Sequence, residues 1–108
     1  MIGIEEFKKV RLVIARVASV EDIPGADKLY KLTIDAGQGE MRTIVAGIKR
    51  FYGANELEGR LIVLLENLTP AVIRGVESHG MLLAASTSEG ALSLLTPDKD
   101  IAPGSVIA

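Results

Sequence analysis

The apolar residues of this chain come in short blocks, and nearly every gap between blocks holds a glycine or a proline. Such punctuation leaves no room for long helices and favours short strands joined by tight turns. Residues 11–20 are rich in β-branched side chains, apolar on both faces, and read as a long, largely buried strand. Pro24-Gly25 ends it. Tyr30, Leu32 and Ile34 then alternate with Lys31, Thr33 and Asp35, the pattern of a half-buried second strand. A Gly37-Gln38-Gly39 turn leads into a third strand over 42–45. Residues 47–59 are less regular, with a helical turn or two expected around 54–57. A fourth strand over 61–65 is apolar on both faces, and further strands are expected over 81–85, 92–95 and 105–107. Ile4 and Phe7 at helical spacing predict a short helix over 4–10 that plugs one end of the fold. The expectation is an all-β fold, a small closed β-barrel with a short N-terminal helix and a short helical insertion before strand four.

The chain of 108 residues suits one domain, 1–108, and its two Tyr, two Phe and no Trp make the core aliphatic. No cysteine is present, which excludes disulfides and thiolate chemistry and agrees with a cytoplasmic setting. Residues 1–10, MIGIEEFKKV, carry charges at four of positions 5–9, so they are not expected to act as a secretory leader. The longest apolar run, 61–65, is too short to span a bilayer, and no membrane partner is expected.

Net charge is −2, which argues against indiscriminate nucleic-acid binding. Its distribution says more. Residues 1–54 hold nine Lys or Arg against seven Asp or Glu, whereas 55–108 hold three against seven. A polyanion would meet a local basic surface from the first half plus Arg74.

Catalytic readings have little to build on. His79 is the only histidine, and adjacent Ser78 and His79 diverge in extended backbone, so they form no triad. One His and no Cys exclude a structural zinc site, and 98–100 lacks the ligands of a calcium loop. No enzyme activity, metal or cofactor is expected.

Residues 67–85, NLTPAVIRGVESHGMLLAA, read as a glycine-hinged loop carrying Arg74 and a Ser-His pair into an apolar strand. Asn67-Leu68-x-Pro70-Ala71 followed by Arg74-Gly75-Val76-Glu77-Ser78-x-Gly80-Met81 resembles the signature of the stand-alone and appended tRNA-binding domains. These include structure-specific tRNA-binding proteins, the C-terminal domain or β subunit of methionyl-tRNA synthetase, and the domain of the endothelial-monocyte-activating polypeptide. Phe7-x-Lys9-Val10, Pro24-x-Ala26-Asp27-Lys28-Leu29, Ile44-Val45-Ala46-Gly47-Ile48, Tyr52 and Leu57-x-Gly59 extend the similarity over about residues 4–108. In the first strand, Arg11, Val13 and Ala15 stand where the family usually has Asp, Arg and Gly.

The resemblance implies an OB-fold and a contact role for Lys28, Ser78 and Met81, with Arg42 and Arg74 as helpers. From the strand pattern, Lys31 and Thr33 share one face and are expected to flank Arg42 across the second hairpin. Tyr30 and Tyr52 are the candidates for stacking on bases, a small provision that suits folded RNA read through backbone and shape. The family further implies tRNA gripped at its outer corner, a homodimer, and methionyl-tRNA synthetase as a possible partner. The doubly apolar fourth strand is a candidate subunit interface. Alternative readings are the protein-binding export chaperone of a related branch and a structural docking subunit of a synthetase complex.

Overall fold

A computed structural model describes residues 1–108. It contains two four-residue helices, α1 (Ile4–Phe7) and α2 (Ala54–Leu57), and ten strands. These are β1 (Leu12–Ile23), β2 (Ala26–Asp35), β3 (Met41–Ala46), β4 (Leu61–Leu65), β5 (Ala71–Ile73), β6 (Val76–Ser78), β7 (Met81–Leu82), β8 (Ala84–Ser86), β9 (Leu92–Leu94) and β10 (Val106–Ile107). The protein is all-β apart from the two helical turns.

The organising element is β1. One edge of its first half pairs with β4, from Leu12↔Leu65 to Arg16↔Leu61, while the other edge takes β10. Its second half pairs with β2, with a register shift between Val17 and Ser19. An extra residue at such a point bends a strand and increases its twist, which carries the sheet round. The resulting order is β3-β2-β1-β4-β7. The expected closed barrel is realised only in part, because no ladder joins the outer strands β3 and β7. Two hydrogen bonds cross that seam just before β7: His79 N–H to Thr43 O at 2.9 Å, and Val45 N–H to Ser78 Oγ at 3.0 Å.

Alternation decides the interior. Leu32, Ile34, Ile44, Ile62 and Leu64 are fully buried together with Val13, Val17 and Leu57. The plug is Leu57 of α2, not the N-terminal helix. Gly53 N–H donates to Glu56 Oε1 at 2.7 Å to cap the start of α2. Every residue of α1 is exposed, so the expected plugging role is corrected: four residues present Ile4 and Phe7 outward instead of inward. The second face of β4 is likewise accounted for within the chain. Ile62 and Leu64 lie in the main core, while Leu61 and Val63 join Ile14 in a smaller cluster beneath Leu12, Leu83 and Ile107. It therefore does not serve as a free subunit face. The strand expected over 81–85 is two strands, with β8 leaving the sheet to pair with β9.

Candidate nucleic-acid interface

The segment read as an open loop contains a hairpin. Strands β5 and β6 pair from Ala71↔Ser78 to Ile73↔Val76, forming an arm outside the main sheet. Its two-residue turn is Arg74-Gly75 at φ +53° and +78°. Positive φ at both central positions is the type I′ pattern, which matches strand twist but ordinarily selects Asn-Gly. Arginine in that conformation costs roughly 1–2 kcal/mol from Cβ crowding. Arg74 is exposed at the tip, with no carboxylate partner.

At the base of the arm, Ser78 is 5% exposed. Its hydroxyl accepts from Val45 N–H and donates to Gly80 O at 3.2 Å. Gly80 follows at φ +134°, where an added Cβ would lie 2.9 Å from Leu65 O. No other residue fits that crossing without moving the β4 backbone. Ser78 is thus buried where the loop reading expects it at the surface: its hydroxyl is engaged by backbone on both sides, and it acts as a tie.

The expected facing of Arg42 beside Lys31 and Thr33 is corrected by the register. Arg42 pairs with Ile34, not with Lys31 or Thr33, so it projects to the opposite face from those two. There it donates to Glu66 O at 2.9 Å, His79 O at 3.2 Å and the Glu40 carboxylate. Its planar fork is consumed in joining β3 to the ends of β4 and the arm.

Lys31 and Met81 stay at the surface. Lys31 lies opposite Val45 on the outer face and forms a cross-strand pair with Glu21 at 3.9 Å. Val45 and Gly47 floor a concavity of about 280 Å³ that is walled by Ala71 and Ile73 of the arm and by Met81. Met81 is 45% exposed and pairs with Leu65. Lys28 stands farther along β2 and is exposed. Its neighbour Asp27 is taken by Arg50 at 3.2 Å, which leaves the Lys28 ammonium unpaired. The fold therefore sets Met81 and the arm around one apolar hollow, with Lys31 opposite Val45 of its floor and Arg74 at the arm's tip. Lys28 lies to one side, and Arg42 and Ser78 form part of the frame.

The family model described as "Putative tRNA binding domain" matches residues 12–106. The chain belongs to the tRNA-binding domain family. It is 47% identical over 106 residues to the methionine–tRNA ligase of Pyrococcus furiosus, covering 98% of this chain and 14% of that protein. Against the methionine–tRNA ligase of Methanoregula boonei it is 50% identical, covering 99% and 16%. The chain thus spans about a seventh of the length of the curated relatives it matches. The crystal structure of a MetRS-related protein from Pyrococcus horikoshii superposes with a TM-score of 0.93 at 35% identity, covering 100% of this chain and 98% of that one. The CsaA chaperone protein of Picrophilus torridus gives a TM-score of 0.90 at 33% identity, with both chains wholly covered.

Within this tRNA-binding domain the substituted first strand is absorbed by packing. Val13 and Ala15 are core residues, and Arg11 pairs with Glu66. The aromatic expectation needs correction. Tyr30 is 5% exposed and its hydroxyl donates to Tyr52 O at 2.8 Å, while the Tyr52 hydroxyl accepts from Leu94 N–H at 3.1 Å. The Tyr30 ring is therefore not free to stack, and the half-buried Tyr52 ring has the Arg60 guanidinium 5.4 Å from its centre. Lys49, Arg50 and Phe51 are surface residues that the sequence reading passed over, although their adjacency was its own signal.

Proposed function

We propose that this domain is a non-catalytic, structure-specific tRNA-binding module that grips the outer corner of tRNA in the cytoplasm, as a trans-acting factor or subunit serving methionyl-tRNA synthetase. The observation that carries the reading is the arm. A hairpin that contributes almost nothing to the core holds an unpaired arginine in a costly backbone conformation at its tip. Strain of that kind persists where a side chain is needed at a defined point. The arm overhangs an apolar hollow beside Lys31, and the unpaired Lys28 supplies a second point charge. So few cations suit phosphates presented at fixed spacing by a folded RNA better than a long single strand.

A gel shift with total tRNA, competed by single-stranded DNA and by duplex RNA, tests this. Binding should resist both competitors and fall with salt on a log–log slope of roughly −2 to −5. An isotherm insensitive to salt, or complete competition by single-stranded DNA, would overturn the reading.

A second copy of the chain completes the proposal. Ile4, Phe7, Val10 and Val106 leave apolar surface around a concavity of about 460 Å³ beside Leu12 and Ile107. A four-residue helix with no buried residue is not stable by itself, and an isologous partner would cover it. The likeness to the CsaA chaperone favours one rival, a peptide-binding use of the apolar hollow. An unfolded-peptide competitor in the same gel shift separates the two.

A further inference from the structure

The turn between β3 and α2 carries Lys49, Arg50 and Phe51 in succession, and it is anchored from below. Ile48 is buried and its carbonyl accepts from Phe51 N–H at 2.9 Å and from Tyr52 N–H at 3.1 Å. Tyr52 is held in turn by Tyr30 and Leu94. The turn is also stitched to the neighbouring strand, with Lys49 N–H on Lys28 O at 3.3 Å. This brings the backbone of the unpaired Lys28 beside that of Lys49.

The side chains above this anchor are differently placed. Lys49 reaches Asp22 at 2.8 Å and lies 5.9 Å from the Tyr30 ring centre, while Arg50 reaches Asp27. Both carboxylates are largely exposed, so these pairs orient the cations without occupying them fully. Phe51 is 45% exposed. One exposed Phe is ordinary on a protein surface. A Phe set next to two cations on a rigid turn, with a third cation on the adjoining strand, is a more specific arrangement. Flat apolar surface flanked by phosphate-binding groups is what an unstacked nucleotide requires.

We infer that this turn is a second RNA contact, in which Phe51 stacks on an unpaired base while Lys28, Lys49 and Arg50 meet the flanking phosphates. The inference rests on the tRNA-binding reading and adds to it a site that takes a splayed-out base. The carboxylates of Asp22 and Asp27 hold the cations ready and are displaced by phosphate. A turn already fixed from below loses little freedom on binding.

The test is a titration of the full chain with total tRNA across a salt series. Phe51→Ala should weaken binding by about 5- to 150-fold with the salt slope unchanged, since stacking releases no counterions. Phe51→Tyr should stay within about twofold of the parent, while Phe51→Leu should resemble the alanine variant. Lys49→Ala and Arg50→Ala should each reduce the slope by about one. Binding by Phe51→Ala within about twofold of the parent would overturn the inference and leave the domain's tRNA binding intact. So would equal binding by the Leu and Tyr variants, a comparison that stays decisive even if the alanine variant folds poorly. A parent chain that fails to bind tRNA at low salt would overturn the broader reading, and this contact with it. Retention of an extended peptide in place of tRNA, lost in Phe51→Ala, would assign the turn to a protein partner.

Discussion

The hydroxyl of Ser78 accepts the backbone N–H of Val45 at 3.0 Å, so a side chain supplies a bond that β3 obtains from no strand. The seam between the two outer edges of the sheet depends on this contact and on His79 N–H to Thr43 O. Ser78→Ala should leave Val45 N–H unpaired in a mostly buried setting, at a cost of about 1–2 kcal/mol. The melting temperature should fall by several degrees, and the Val45 amide should exchange faster with solvent. Unchanged melting and unchanged protection would show that the tie is dispensable.

Arg42 makes a related prediction. Its guanidinium spans the carbonyls of Glu66 and His79 and the Glu40 carboxylate. Lysine keeps the charge but lacks the fork, so Arg42→Lys should lose about 1–3 kcal/mol of stability in urea unfolding. Loss of tRNA affinity at constant stability would instead return Arg42 to the RNA contacts.

Arg74 separates stability from binding in the opposite direction. Asparagine is better suited to positive φ, so Arg74→Asn should stabilise the protein by up to about 1 kcal/mol. The same change should weaken tRNA binding by about 1–3 kcal/mol, as expected for a lost charge-assisted contact. A variant that is no more stable and binds as tightly would refute both halves.

These three residues mark where the sequence was legible and where it was not. Tyr30, Leu32 and Ile34 announced β2 by alternation, and Ala54–Leu57 was found because a helical turn has its own periodicity. Arg42 was misplaced because facing depends on register. Parity with Ile44 and Ala46 puts it inward, but the sequence does not fix which β2 residue it opposes. The arm was missed because its strands are three residues each and Arg-Gly is an uncommon type I′ turn. Ser78 looked free because its partners lie 33 residues away and on the next turn of chain. Contacts between remote segments leave no local signature.

The two displaced ionisation equilibria lie side by side and predict opposite pH limbs. Asp27 is held below its ordinary value of 3.8 by the hydrogen bond from Arg50 and by that guanidinium's charge. Its contribution is present above pH 3.8 and is lost as pH falls through the lower folded value. Lys49 is raised above 10.5 by its hydrogen bond to Asp22, so its contribution is present below 10.5 and is lost as pH rises through the folded value. Both groups are exposed, and the effects should be small. In urea unfolding across pH, Asp27→Asn should flatten only the acid limb and Asp22→Asn only the alkaline one. An acid limb unaltered by Asp27→Asn would remove the Arg50 pair as a contributor.

Pairing of two copies through the α1 face is checked by Val106→Glu. That side chain is 63% exposed, so the change should leave the protomer folded while placing a charge in the proposed contact. Sedimentation should report a dimer for the parent at micromolar concentration and a monomer for the variant. A parent that sediments as a monomer would discard the assembly.

The arm has one further consequence. Apart from Ser78 it buries no residue, and its strands add no rung to the main sheet. Its tip therefore stands clear of the scaffold, which holds the arm at its base through the Ser78 hydroxyl, the backbone of His79 and the Gly80 crossing. Residues 72–77 should behave as an interchangeable cartridge. Hairpins of equal length but different tips could be grafted between Ala71 and Ser78, so that specificity is rewritten while the folding of the rest is inherited unchanged.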